Sequence, residues 1–474
     1  MNAKTRNLLG LWPGVGLVAA NMIGAGVFLS AGFMAQAMGP GPILLAWVVG
    51  AVLAMAGAKA YSAVAALVPR SGGEYRYLSE LLHPAVGYLS GWASLLVGFS
   101  APVAADALAA GEFARTVFPG LAAQWTVSLA GHHFTVRAVQ LAAAGLVAAL
   151  TALHVAGLET SARTQNALVV IKAILLAGFV AVGLALGSGA WPAWHPPSAG
   201  SGFPLSAFVF NLLFVMFAYS GWNAVVYAAE EFHVPERTVP RAMLLGCALV
   251  ALLYFAVNWI FVANLTPEQA GIVTAYGNPE QEQVTLAHAV MRQLIGPGTA
   301  RVMSVFTVAV FLSAMSAMIF VGPRVYAAMA RDGFLPRALD AREGRPPVGA
   351  IVLQGALSVV IVFTQSLRDI LANVSAILIL FSALTALGLF RVALAPRGRP
   401  RPAAAALAAA GVYVAASAWM LWRGFSGSAW LLPWVAAIAA FGVGAYLLSP
   451  GRRRAAGAAG AAAVPGEGPP SPAS

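Results

Sequence analysis

Two short stretches decide how this chain is read: Asn21-Met22-Ile23-Gly24-Ala25-Gly26-Val27-Phe28 and Phe217-Ala218-Tyr219-Ser220-Gly221-Trp222-Asn223. Each lies in the middle of an apolar run, and each places glycine where a bilayer-crossing helix would otherwise continue unbroken. Close helix packing through small residues explains either motif alone. Outward from them, apolar runs centre near residues 25, 54, 100, 145, 178, 217, 250, 312, 357, 380, 411 and 438. A helix of about 20 residues crosses about 30 Å of hydrocarbon, and every run is long enough. If runs one to five and six to ten are two halves, both interruptions fall in the first helix of their half.

Composition points the same way. Of 474 residues, 60% are hydrophobic and 9% charged, against about 25% charged in a soluble domain. A water-soluble protein is excluded. A segment in lipid must satisfy its backbone groups internally, and no run alternates with the period of a barrel strand, so the spans are helices. The expected fold class is an all-α membrane protein with twelve transmembrane helices. Lys4 and Arg6 precede an apolar stretch too long for a signal-peptide core and without a small-residue cleavage pattern, so the first span is retained. Cys247 is the one cysteine, which leaves packing to hold the fold without an intramolecular disulfide or a thiolate metal cluster.

The 27 Lys and Arg residues outnumber the 16 Asp and Glu, a formal charge of +11. With the N-terminus inside, the cytoplasmic side holds 17 of the 27: Lys4, Arg6, Arg70, Arg76, Arg163, Arg237, Arg241, Arg331, Arg337, Arg342, Arg345, Arg397, Arg399, Arg401, Arg452, Arg453 and Arg454. The other side holds Arg115, Arg137, Arg292, Arg301, Arg368 and Arg423. Excess positive charge marks the cytoplasmic face, so both termini are expected there, in the cell membrane, and the basicity records topology rather than nucleic-acid binding.

Paired interruptions in corresponding helices of two halves mark a transporter built from inverted repeats. Unwound mid-membrane segments then offer backbone N–H groups to an anionic substrate group and carbonyls to a cationic one. An α-amino acid carries both. The expected organisation is a cytoplasmic segment 1–12, a first repeat 13–187, a second repeat 205–393, two peripheral helices within 402–448 and a disordered cytoplasmic tail 449–474.

The residues at this point resemble the amino acid, polyamine and organocation transporter superfamily, and within it the cationic and L-type amino acid transporters. Asn21 to Phe28 is similar to the family's first-helix glycine motif, and Pro69-Arg70-Ser71-Gly72-Gly73-Glu74-Tyr75 to its first cytoplasmic loop. Gly157 to Asn166, followed by Lys172, is similar to its fourth loop and fifth helix. Phe217 to Asn223, continuing through Glu230-Glu231 to Arg237-Thr238-Val239-Pro240-Arg241-Ala242, resembles its sixth helix, and Gly322 to Gly333 its eighth helix and exit. Many members carry an acidic residue late in the second helix, where this chain reads Tyr61-Ser62-Ala63-Val64, with Lys59 a turn earlier. Lys59 either lines the cytoplasmic vestibule or turns its stem to the interface, and the second is favoured.

The resemblance implies a five-plus-five inverted-repeat fold with two further helices, and a substrate site at the breaks. The substrate carboxylate is expected on the amides around Ile23, Gly24, Ala25 and Gly26, and its ammonium at carbonyls near Phe217, Ala218, Ser220 and Gly221. Phe217 is the gate expected from related transporters. Lys172 matches a family lysine standing where sodium-driven relatives hold an ion, which implies sodium independence. It either carries a proton in each cycle or braces helix one as a fixed charge. Arg324, Arg331 and Asp332 are expected to latch the inward gate.

Other polar residues are weighed on their own chemistry. Asp106, inside span three, either selects a cationic side chain, carries a proton, or lies near the wet external end. Glu230 and Glu231 are expected as solvated end charges. Ser313 and Ser316 share a helical face and either hold an ion or bond a neighbour. His132, His133, His195 and His288 fall in loops without ligand spacing, so no metal or other cofactor is expected.

The function read from all this is a secondary active transporter of neutral or cationic α-amino acids, working by alternating access, sodium-independent and coupled to proton symport. The alternatives are an uncoupled exchanger and a membrane amino acid sensor. No acid–base, nucleophile or metal set supports an enzyme. The substrate's identity, the direction of transport and any accessory subunit stay open.

Overall fold

Hydrocarbon supplies no water to the backbone, so the apolar runs close their hydrogen bonds on themselves and the chain is almost entirely helical. The computed structural model describes residues 9–35, 37–129, 132–192, 203–265, 286–340, 345–365, 367–394, 401–427 and 429–451. Residues 1–8 of the expected N-terminal segment, 452–474 of the expected tail, His195, Arg342, Arg397 and Arg399 lie outside them.

The first span is broken into α1 (Leu11–Met22) and α2 (Ala25–Ala35), bent by 48°. It is followed by α3 (Pro40–Leu67) and the short α4 (Gly73–Leu81). The third span joins α5 (Pro84–Ala93), a π-helical stretch Ser94–Phe99 and α6 (Ser100–Ala114), and spans four and five are α7 (Ala138–Val155) and α8 (Leu158–Leu186). The sixth joins α9 (Leu205–Tyr219) to a 3₁₀ segment, Ala224–Glu231. Then come α10 (Pro235–Ala263), the short α11 (Leu286–Leu294), α12 (Thr299–Arg331), α13 (Val348–Thr364), α14 (Leu367–Leu394), α15 (Ala404–Gly427) and α16 (Leu431–Leu448).

By length and apolarity ten of these helices cross a bilayer, or eleven if the bent pair is one span. The sequence predicts twelve. The shortfall is α13, which occupies the ninth apolar run with 17 residues. A second difference is a hairpin between spans three and four, β1 (Gln124–Leu129) antiparallel to β2 (His132–Arg137) with Trp125 opposite Val136. The signal was there: Trp125, Val127 and Leu129 alternate with Thr126 and Ser128 ahead of Ala130-Gly131. Outside lipid a strand pair no longer has to close its edges.

The core forms around the broken spans. α2 packs on α9, and α1 packs on the 3₁₀ segment after the second break, so the halves meet crosswise. α10 covers α1 and α3, while α12 lies between α6 and α8. The buried share ranges from 89% in the third span to 22% in α8, 33% in α15 and 17% in α16.

Candidate functional site

Each break offers a glycine to the backbone of the other. A Cβ on Gly26 would lie 2.6 Å from the Ala218 Cα, and one on Gly221 would lie 2.8 Å from the carbonyl carbon of Asn21. Gly221 also holds φ at +98°, a conformation L side chains rarely adopt. Tyr254 of α10, with no exposed surface, places its hydroxyl 2.6 Å from the Met22 carbonyl and 3.0 Å from the Ala218 carbonyl. One O–H can donate fully to only one of them at a time. Ser30 of α2 donates to the Phe214 carbonyl of α9 at 3.0 Å.

The predicted contact residues are therefore brought together. Ile23, Gly24, Gly26 and Ala218 are buried, and Phe217, Ser220 and Gly221 are half-buried. Ala25 opens α2, whose first N–H groups have no acceptor within the helix and form its positive end. The Phe217 carbonyl accepts from the Ser220 amide at 3.0 Å and its hydroxyl at 2.6 Å. Two of the carbonyls expected to meet an ammonium thus already have partners, on Ser220 and Tyr254.

The break in span one also frees carbonyls. In an unbroken helix the Gly24 N–H would bond to the Ala20 carbonyl. Instead Lys172 of α8, 2% exposed, donates to the Ala20 carbonyl at 2.9 Å and the Ile23 carbonyl at 2.5 Å. Asp106 of α6 stands at the same place: both carboxylate oxygens lie 3.5 Å from where a Gly24 Cβ would be. It is 5% exposed and attracts Lys172 through space. Of the positions open to it from sequence, Asp106 takes the one against the break rather than a wet helix end.

The sequence pattern shared by amino acid permeases matches residues 9–449. The chain belongs to the amino acid permease family. It is similar to "b(0,+)-type amino acid transporter 1" of Oryctolagus cuniculus, 25% identical over 406 residues that cover 84% of this chain and 79% of the relative. It is 30% identical over 404 residues to an uncharacterized transporter of Mycobacterium tuberculosis, covering 84% of this chain and 83% of that one. "Large neutral amino acids transporter small subunit 2" of Mus musculus is 24% identical over 387 residues, 80% of this chain and 69% of the relative. The family is one of transporters and not of enzymes.

At one end of the permease, charged pairs tie the elements together. Arg324 of α12 meets Glu231 of the 3₁₀ segment at 2.7 and 3.3 Å and lies over the Phe320 ring. Asp332 is held by Arg76 at 3.0 Å and the Tyr75 hydroxyl at 2.5 Å, and Arg331 reaches Asp340 at 3.6 Å. The three residues predicted as one latch therefore face separate partners rather than a common one. The expectation that Glu230 and Glu231 are solvated holds for exposed Glu230, while Glu231 is the partner of Arg324. Leu9 pairs with Phe232 as an isolated parallel bridge alongside. Lys59 is exposed.

The opposite end carries a second set. Glu112, buried, takes both Arg115 at 3.0 Å and Arg137 at 3.2 Å, so two arginines read as topology signals also clamp a carboxylate. His288, expected in a loop, is buried against Phe113 with its Nε2 2.9 Å from the Ser304 hydroxyl, and burial pushes it down to about 4. Ser316 meets His154 at 3.0 Å, and the buried Ser313 hydroxyl has no hydrogen-bond partner among the described residues. Tyr254, Glu74 and His154 are the residues that sequence reasoning missed. Tyrosine in an apolar run carries no signal of its own. Glu74 stood inside a quoted motif without being assigned a role.

Proposed function

We propose that this permease carries neutral or cationic α-amino acids across the cell membrane by alternating access, without sodium, in symport with protons. Its two repeats are 13–187 and 205–393, and the end bearing Arg324 and Glu231 faces the cytoplasm with both termini. The substrate carboxylate binds the N–H groups of Gly24, Ala25 and Gly26 at the positive end of α2, with Ile23 turning the chain into them. Its ammonium takes the carbonyls of Phe217, Ala218 and Ser220 beside Gly221, displacing the Ser220 and Tyr254 hydroxyls now on them, and the Phe217 ring closes over it. The names of the mouse and rabbit relatives, both amino acid transporters, support the substrate class.

The observation that carries the reading is Lys172, whose ammonium occupies the two carbonyls freed by the first break. A lysine ammonium there leaves nothing for sodium to do, releases and regains its proton in each transport cycle, and has Asp106 beside it as a counter-charge. The second reading, an uncoupled exchanger, draws on the same bonds: a lysine so held also works as a strut. Counterflow of radiolabelled amino acids into proteoliposomes tests both. Uptake unchanged when choline replaces sodium, and increased by an inward proton gradient, is the expected result. Uptake indifferent to that gradient selects the exchanger, and dependence on sodium overturns the role of Lys172.

A further inference from the structure

Glu74 of α4 is the most buried acidic side chain among the described residues, at 4% exposure, although it lies outside the spans. Its carboxylate accepts from three donors on two other elements. The Tyr61 hydroxyl of α3 reaches Oε1 at 2.9 Å, the Asn223 amide reaches Oε1 at 2.8 Å, and the Tyr227 hydroxyl reaches Oε2 at 2.5 Å. Asn223 spends its other N–H on the Tyr227 hydroxyl at 3.0 Å, which leaves that hydroxyl's proton for Glu74.

All three donors are neutral, and the nearby cations are engaged elsewhere. Arg70 pairs with Glu80, Arg76 with Asp332 and Arg324 with Glu231, and Arg391 binds the Leu82 carbonyl. The other titratable groups facing Glu74 are tyrosines: Tyr77 from its own helix and Tyr413 from α15. Among the described residues α5, α12 and α14 bring no cation to it. A carboxylate taken out of water without a counter-charge is costly, and burial pushes Glu74 up from the usual carboxylate range against the pull of its three donors.

The position gives this cost a use. Asn223 and Tyr227 directly follow the break in span six. A Cβ on Gly73 would lie 2.1 Å from the Tyr227 ring, so α4 and the 3₁₀ segment touch as closely as their chemistry allows. On the alternating-access reading, opening toward this end parts them, and parting them lets water reach Glu74. We propose that Glu74 is the proton-binding group of this gate: its carboxylate takes a proton from the aqueous phase as α4 closes on the segment after the span-six break, and returns it as they separate. No electrons move, and the one bond made and broken is the carboxyl O–H. Glu74 is a positioning residue, since it does not reach the substrate site. The proposal rests on the alternating-access reading above and adds a second proton step, separate from Lys172. Its sign is fixed: the neutral acid is cheaper to bury, so acid at this face favours the closed gate and alkali the open one.

The test reads the opening directly. In full-length protein an Ala229→Cys probe, buried on the 3₁₀ segment, is labelled with a maleimide between about pH 7.5 and about pH 5.5, with and without Glu74→Gln. Relative to the Glu74→Gln background, which shares the thiol chemistry, labelling is expected to fall several-fold on acidification. Tyr227→Phe, which removes one donor to the charged form, should move the midpoint to higher pH and serves if Glu74→Gln folds poorly. Identical profiles with and without Glu74→Gln, or an unmoved midpoint in Tyr227→Phe, would each overturn the proposal. Labelling needs no substrate, so a failure of counterflow would count against the transport reading alone.

Discussion

Lys172 and Asp106 hold the first break between a cation and an anion, and their substitution separates the readings of each. Hydrogen bonds from a charged group are worth about 1.5–3 kcal/mol, so losing the two that Lys172 makes should cut transport by about tenfold or more. Lys172→Ala should in addition abolish the response of uptake to a proton gradient; a residual exchange with an intact gradient response would mean the proton travels elsewhere. Asp106→Asn keeps the shape and removes the charge. If Asp106 selects substrates, arginine and lysine uptake should fall several-fold more than leucine uptake, measured as kcat/KM. An equal loss for all three would mean that its service is to Lys172. Both residues were legible in the sequence because an ionisable side chain inside an apolar run is itself a signal. Tyr254 was not, because an apolar run gives no sign that one hydroxyl will fall between two broken helices.

At the scale of the element, the glycines of the two breaks do not all do one job. Gly26 is filled by the backbone of Ala218, so Gly26→Val disrupts the crossing of the two spans as well as any ligand beside it. Loss of folded protein, seen as lower expression and an earlier thermal transition, is the expected result rather than a clean loss of binding. Gly221→Ala carries a backbone cost of about 1–2 kcal/mol for its positive φ, plus the contact with Asn21 at 2.8 Å. It should lower the unfolding temperature by several degrees. Gly24 is the roomier position, its Cβ meeting Ala314 at 3.3 Å. Gly24→Ala should therefore weaken substrate affinity with little change in thermal transition, and unchanged affinity would assign the glycines to packing. The sequence marked the breaks through glycine, yet it could not say which glycine faces a ligand and which a neighbour, since that depends on how the two halves cross.

For the whole molecule, the helical spans were legible from hydropathy because lipid leaves the backbone no alternative. The ends were less so. Arg76, Arg115, Arg137 and Arg324 read from sequence as loop or boundary charges, and each has a carboxylate partner only because distant segments meet. Orientation nevertheless depends on the total of Lys and Arg near the span ends, which pairing after insertion does not change. The 17 basic residues assigned to one side against six on the other therefore predict a specific labelling pattern in intact cells. Cys247 is fully buried, so the unmodified protein should resist impermeant maleimides. Exposed Gly189 follows α8 at the end where Ser188 meets Asn264 at the close of α10, and exposed Arg345 precedes α13 at the Arg324 end. A cysteine at Gly189 should label from outside, and one at Arg345 should label only after the membrane is permeabilised. The reverse pattern would turn the permease over, moving the Glu74 gate to the external face. The acid that closes it would then be the acid of the medium.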